Sequence, residues 1–338
     1  MDTQQLESLP PPPGVIGALR AGFDVVANHI VLILMPLLLD VLLWLGPRLS
    51  VERLLGPSYA FLFQQARLGP GAAENASRLD EVEKVITEAL THFNLVSLIS
   101  RLQTFPIGIS SLMSKVMPIE TPLGEQSVVQ VSSGWLFIGC MFLFVVIGWV
   151  AGGLYFRSVS EAVLGGGDAG ISSLRAIAQT FLLSLIWLLA LIAISIPLML
   201  LMTVLTIISP ALASGAAFLM LVFSFWLIVP LYFTPHGIFI RKQNAFSSIY
   251  TSLRMARFTL PTSGMFVFSI FILSTGLNYL WMVPSSNSWM LGIGIAGHAF
   301  ITTALLAASF VYYRDMNAWL QTVFENFQQK KSAPARQA

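Results

Sequence analysis

Charge is the scarcest commodity in this chain. Only 10% of its residues are Asp, Glu, Lys or Arg, whereas 56% are hydrophobic, and a soluble domain carries about 25% charged residues. With a mean hydropathy of +0.78, the polar surface is too small to solvate a chain of this length, so lipid has to cover much of it. Basic residues are few and scattered, and the net charge of +2 forms no aromatic-interleaved patch, which argues against nucleic acid. A single cysteine, Cys140, excludes an intrachain disulfide and a cysteine-based zinc site. No basic n-region precedes the first apolar run and no small-residue cleavage site closes it, so that run is expected to stay as a membrane helix.

Signatures of catalysis are equally sparse. Gly165-Gly166-Gly167-Asp168 lacks the Lys and Ser/Thr of a phosphate-binding loop and reads as a turn. His29, His92, His236 and His298 show no metal-ligand spacing. Ser110-Ser111 follows Gly108 without forming a nucleophile elbow. Asn75-Ala76-Ser77 matches a glycosylation sequon, relevant only to a eukaryotic secretory route. The expectation is no catalytic set, no metal and no cofactor.

What is present is a series of long apolar runs. A spanning helix needs roughly 20 apolar residues, and six runs qualify: 29–46, 134–156, 181–208, 211–233, 264–283 and 289–312. Pro36 and Pro197 fall inside two of them and are expected to kink them. Arg20, Arg157, Arg175, Arg241, Lys242, Arg254, Arg257, Arg314, Lys330, Lys331 and Arg336 all fall on one side of this arrangement. The positive-inside rule then makes both termini cytoplasmic. Trp44, Trp135, Trp281 and Trp289 mark the outer ends, and Tyr155, Tyr232, Tyr312 and Tyr313 the inner ends.

A repeat underlies the plan. Even-numbered spans end in Leu154-Tyr155-Phe156-Arg157, Leu231-Tyr232-Phe233-Thr234 and Val311-Tyr312-Tyr313-Arg314. Odd-numbered spans are preceded by Ala18-Leu19-Arg20, Ser173-Leu174-Arg175 and Ser252-Leu253-Arg254. Near-equal spacing of these marks predicts three units, each a short cytoplasmic helix followed by a transmembrane hairpin. The plainer alternative is interfacial aromatics followed by positive-inside arginines. The short helices are amphipathic: Phe246, Ile249, Tyr250, Leu253 and Ala256 share a face opposite Ser247, Thr251 and Arg254. Val15, Leu19, Phe23 and Val26 do so in 15–28, and Trp319, Val323 and Phe327 in the tail. Such a face lies against acyl chains or packs on the bundle.

The predicted class is therefore an all-α polytopic membrane protein with six transmembrane helices in three helix-plus-hairpin repeats. Its parts are a cytoplasmic N-terminal segment 1–28 with an interfacial helix, a first span 29–46, a helical extracytoplasmic insertion 47–133, the remaining five spans and their amphipathic connections in 134–313, and a cytoplasmic tail 314–338. Within the insertion, Ser77 opens a helix whose stripe is Leu79, Val82, Val85, Ile86, Leu90 and Phe93. The following apolar stretch is broken by Pro106, Gly108, Pro118, Pro122 and Gly124, and either caps the bundle or touches the outer leaflet.

Three polar residues interrupt the apolar runs in their outer halves: Asp40, His298 and Asn278. An ionisable group at that depth costs about 2.5–3.5 kcal/mol unless paired or wetted. Read functionally, they form a small polar pocket or a proton-responsive pair; read structurally, a hydrogen-bonded clamp between helices. Gly148 with Gly152, and Gly292 with Ala296, have the small-xxx-small spacing that permits close helix packing, within the chain or in a dimer.

The junction LYFTPHGIFIRKQNAFSSIYTSLRMARFTLP, two following spans and the ending VYYRDMNAWL together resemble a broad group of uncharacterised six-span bacterial membrane proteins. That group includes the membrane domain accompanying some glycerophosphodiester phosphodiesterases. The stretch LLLDVLLWLGPRLSVERLL with PIGISSLM and TPLG is similar, more narrowly, to membrane proteins of green non-sulfur bacteria. The broad resemblance covers about 150–320 and the narrow one adds 36–124. It implies a six-helix membrane fold in a bacterial plasma membrane and no catalytic residues; the phosphodiesterase barrel would need alternating strands and helices, which are missing. Three function classes follow. One is a non-enzymatic accessory protein that organises lipid or a membrane partner. The second is a carrier or channel for a small or lipidic solute passing Asp40 and His298. The third is a membrane-embedded enzyme using that pair.

Overall fold

The computed structural model describes residues 11–69, 76–100, 106–166 and 170–332. Asn75 of the sequon, Gly167, Asp168 and Arg336 lie outside the described residues. The fold is all-α in class. In chain order the helices are α1 (Val15–Asn28), α2 (Leu34–Leu45), α3 (Glu52–Leu68), α4 (Ala76–His92), α5 (Met113–Val116), α6 (Gly134–Val163), α7 (Ser173–Ile208), α8 (Pro210–Tyr232), α9 (Thr234–Arg241), α10 (Ala245–Trp281) and α11 (Met290–Ser332). Among the described residues, four helices are long and apolar enough to cross a membrane: α6, α7, α10 and the Met290–Asn326 part of α11. The number rises to 6 when two bent pairs, Val15–Asn28 with Ile30–Leu45 and Pro210–Ser224 with Leu227–Arg241, are each taken as one span. Such a set of helices fits a multi-pass membrane protein.

Several boundaries differ from the sequence reading, each for a local reason. The first apolar run is not one helix: a 3₁₀ turn at Ile30–Ile33 leads into the 12-residue α2. Pro36 sits in the first turn of α2, where a missing N–H removes no intrahelical bond, instead of kinking a mid-span. Short amphipathic helices expected before the third and fifth spans are continuous with them in α7 and α10. In α10 the junction survives as a break at Thr259 (φ −123°, ψ 16°), just before Pro261. The proline withholds one backbone donor, and the Thr259 hydroxyl donates to the Met255 carbonyl at 2.9 Å and pairs with Ser263 at 2.9 Å.

The chain divides into two compact units. One comprises Met1–Leu32, Phe156–Thr275 and Ile301–Ala338. Its core is aromatic: Phe156, Phe233, Phe239, Phe266, Phe310, Tyr312 and Tyr313 are all buried, with Phe266 stacked on Tyr312 at 4.1 Å between centroids. Tyr312 and Tyr313, read from sequence as interfacial anchors, are thus core residues, and Tyr155 is buried as well. Gly22 of α1 lies directly against the backbone of Ala304 and Ala308 in α11, a contact any larger side chain would block. The seam Ala18, Gly22, Val26 is what α1 buries, while Val15, Leu19 and Phe23 are half-buried.

In the N-terminal part of α10 the burial pattern runs against hydrophobicity. Ser248 and Ser252 are buried and donate to the carbonyls of Thr234 and Pro230, whereas Phe246, Tyr250 and Leu253 are exposed. Small hydroxyl residues let the backbones approach and satisfy carbonyls near prolines. Thr234 does the same for Leu231, whose helical donor would be the N–H that Pro235 lacks (2.8 Å).

The other unit comprises Ile33–Tyr155 and Gly276–Phe300. The segment expected as a helical insertion also carries two small two-stranded sheets. Strands β1 (Arg48–Ser50) and β4 (Val128–Gln130) pair in parallel; β2 (Glu120–Thr121) and β3 (Gly124–Glu125) pair antiparallel. The β1–β4 pair ties the two ends of the segment together. Val51, Leu95, Leu98 and Val131 form a buried cluster that packs against Phe137, Cys140 and Phe144 of α6. Helices α3 and α4 bury no residue fully, and Val82 and Val85 of the expected stripe are exposed.

Candidate functional site

The candidate polar residues lie within the second unit, and the segment Pro106–Val116 brings them together. Pro106 and Gly108 keep its start irregular, and it ends in the single turn α5, whose C-cap Met117 is left-handed (φ 46°). A turn this short has free backbone donors at its start. Asp40, on α2, meets them: its Oδ2 accepts from the Leu112 N–H at 3.1 Å and its Oδ1 from the Met113 N–H at 3.0 Å. Oδ1 also accepts from the Ser111 hydroxyl at 2.5 Å. Ser111 in turn accepts from the Ser114 N–H at 3.0 Å. Asp40 has 0% exposure. The carboxylate is therefore a remote cap for α5, with all its hydrogen bonds spent on residues 111–113.

His298, also with 0% exposure, is held beside this cap. Its Nδ1 lies 2.8 Å from Asn278 Oδ1 and its Nε2 3.3 Å from the Ser110 hydroxyl. With Nδ1–H donating to Asn278, the Ser110 hydroxyl donates to Nε2. His298 and Asn278 meet directly, as the sequence suggested. Asp40 joins them through the adjacent serines Ser110 and Ser111, one turned toward each side chain.

Further contacts fix this arrangement. Gly152 of α6 faces the Ile107 carbonyl, which a Cβ would approach to 2.7 Å. Its smallness thus serves a loop and not a second helix. Gly148 is buried; Gly292 faces the Trp44 ring, 3.8 Å from where a Cβ would stand; Ala296 is half-buried. Closer packing occurs at neighbours the sequence reading passed over: Gly294 sits against the Trp281 carbonyl, and a Cβ on Gly297 would come within 2.6 Å of the Trp281 ring. Gln126 Nε2 donates to the Leu43 and Trp44 carbonyls at the end of α2 (2.9 and 2.7 Å). The Trp44 indole donates to the Ser286 carbonyl at 2.7 Å, and its ring meets Trp289 edge-on.

A second buried histidine, His236 in α9, belongs to the first unit. Its Nε2 lies 2.7 Å from the Ser309 hydroxyl, and its ring packs against Phe233, Phe310 and Tyr313. The sequence placed it at a membrane edge; the structure makes it part of the aromatic core. Among the described residues, no group of three or more His, Cys, Asp or Glu side chains is arranged to hold a metal ion.

Chemically, a carboxylate that already accepts three hydrogen bonds from the chain has little acceptor capacity left for a ligand. The arrangement fastens. Gln126 is a site residue that sequence reasoning missed, and Ser110 and Ser111 were weighed there only as a nucleophile elbow, not as partners of His298 and Asp40. The signal for the serines was a polar pair inside an apolar, proline-broken run. No family model matches the chain, nor does any curated protein or solved structure.

Proposed function

We propose that the chain is a non-enzymatic, six-span protein of the bacterial plasma membrane that organises lipid or a membrane partner. Both termini are cytoplasmic, and residues 47–133 lie outside. The observation that carries this reading is the commitment of Asp40. A carrier would keep its one intramembrane carboxylate free to meet solute or protons; here the carboxylate caps α5 and is sealed from solvent. Extensive lipid-facing surface supports the same view, since the apolar stretch of α7 buries none of its side chains. Three related units are supported by the common burial of Phe156, Phe233 and Tyr313, each at the end of an even-numbered span, in one aromatic core.

The test is reconstitution of the wild type and Asp40→Asn in proteoliposomes with an entrapped pH dye. The proposal predicts a lower unfolding temperature for the variant and no protein-dependent proton or solute flux in either. A flux present in the wild type and lost in a folded Asp40→Asn variant would establish the carrier reading instead.

A further inference from the structure

At the edge of the first unit, α9, α10 and α11 border a cleft of about 180 Å³ lined by Arg241, Thr251, Arg254, Phe258, Asn317 and Phe324, among others. The cleft is small and partly open, on the scale of a compact polar headgroup. Two guanidinium groups face it. Arg241 Nη1 lies 3.4 Å from Asn317 Oδ1, and Arg254 Cζ sits 5.8 Å from the Phe324 ring centroid, over its face. Phe258 meets Phe324 edge-on at 5.4 Å. Among the described residues, no carboxylate pairs with either arginine; the ion pairs found there belong to Arg67, Arg157 and Arg314. Two uncompensated guanidiniums at a small cleft suit a dianionic or monoanionic phosphate, which arginine binds with a planar fork of donors.

The surroundings say what the phosphate is attached to. Phe246, Tyr250, Leu253 and Phe258 expose their apolar side chains along the same helix that contributes Arg254, while its serines are buried. That surface is where acyl chains would lie, with the headgroup in the cleft. We infer that this cleft binds the phosphate of an anionic glycerophospholipid, with Arg241 and Arg254 as its ligands. The inference rests on the lipid-organising reading and gives it a ligand class.

The experiment is native mass spectrometry of the full chain in mild detergent, titrated with phosphatidylglycerol, phosphatidylcholine or inorganic phosphate. The wild type should retain one phosphatidylglycerol in preference to phosphatidylcholine, with millimolar inorganic phosphate failing to displace it. Arg241→Gln and Arg254→Gln should each weaken retention about fivefold, at about 1 kcal/mol per basic residue. Arg257→Gln removes an equal charge one turn away, outside the cleft, and should change nothing. Unfolding temperature is followed in every variant, and Arg254→Lys should restore part of the binding. Equal retention of phosphatidylcholine, equal loss in Arg257→Gln, or displacement by inorganic phosphate would each overturn the assignment, the last in favour of a soluble phosphate ligand. Because the readout is lipid retention, its failure is distinct from that of the non-carrier reading, which is measured as flux.

Discussion

Helices α7 and α11 are both long and apolar, yet they have opposite surroundings. The more apolar one, α7, has a mean hydropathy of 2.7 over its most apolar stretch and buries 0% of it; α11 has 1.7 and buries 50%. In α11 the buried residues include many small or polar ones, Ala299, Ala304, Ala307, Ala308, His298, Thr303 and Ser309, beside the larger Leu291, Ile295, Phe310, Tyr312 and Tyr313. The corresponding surface of α7 is Leu188, Ile192, Ile196, Met199 and Leu200, all exposed. Lipid tails are as apolar as leucine, so hydrophobicity gives a helix no reason to prefer protein over lipid. Close backbone approach and hydrogen bonds do. The same logic explains the N-terminal part of α10, which hides Ser248 and Ser252 and exposes Phe246.

Asp40→Ala leaves the Ser111 hydroxyl and the Leu112 and Met113 amides without their acceptor; at about 1–3 kcal/mol for each buried unsatisfied group, the folded protein should lose several kcal/mol, read as a large drop in unfolding temperature in detergent. Gly22→Leu drives a side chain into the α11 backbone and should cost about 2–3 kcal/mol, seen as reduced monodisperse yield on size exclusion; an unchanged profile would mean that α1 does not pack there in solution. His298→Ala leaves Asn278 and Ser110 without their imidazole partner and should cost about 1–3 kcal/mol, by the same thermal assay. Leu200→Ala on α7 should change stability in lipid nanodiscs by no more than about 0.5 kcal/mol. A loss comparable to that of Gly22→Leu would mean that α7 packs against another chain.

The sequence carried the all-α class and the presence of several long apolar helices, because long apolar runs are a one-dimensional signal. Packing partners were legible only where small residues recur at four-residue spacing, and the pair that matters, Ala304 with Ala308, was passed over in favour of Gly292 with Ala296. Asp40 and His298 stood out because charge is rare in such runs. Their connection did not, since it depends on Pro106–Val116 folding back beside α2, a tertiary event with no periodicity. Tyr312 and Tyr313 carried an interfacial signature by composition, but ring stacking on Phe233 and Phe266 holds them inside.

Asp40 fastens the Pro106–Val116 segment through the Leu112 and Met113 amides, and hydrogen exchange at those two amides reads that role. In the wild type both amides should be strongly protected, and in Asp40→Ala their protection should fall by about tenfold or more while amides in the aromatic core stay slow. Equal exchange at Leu112 and Met113 in the two proteins would contradict the account.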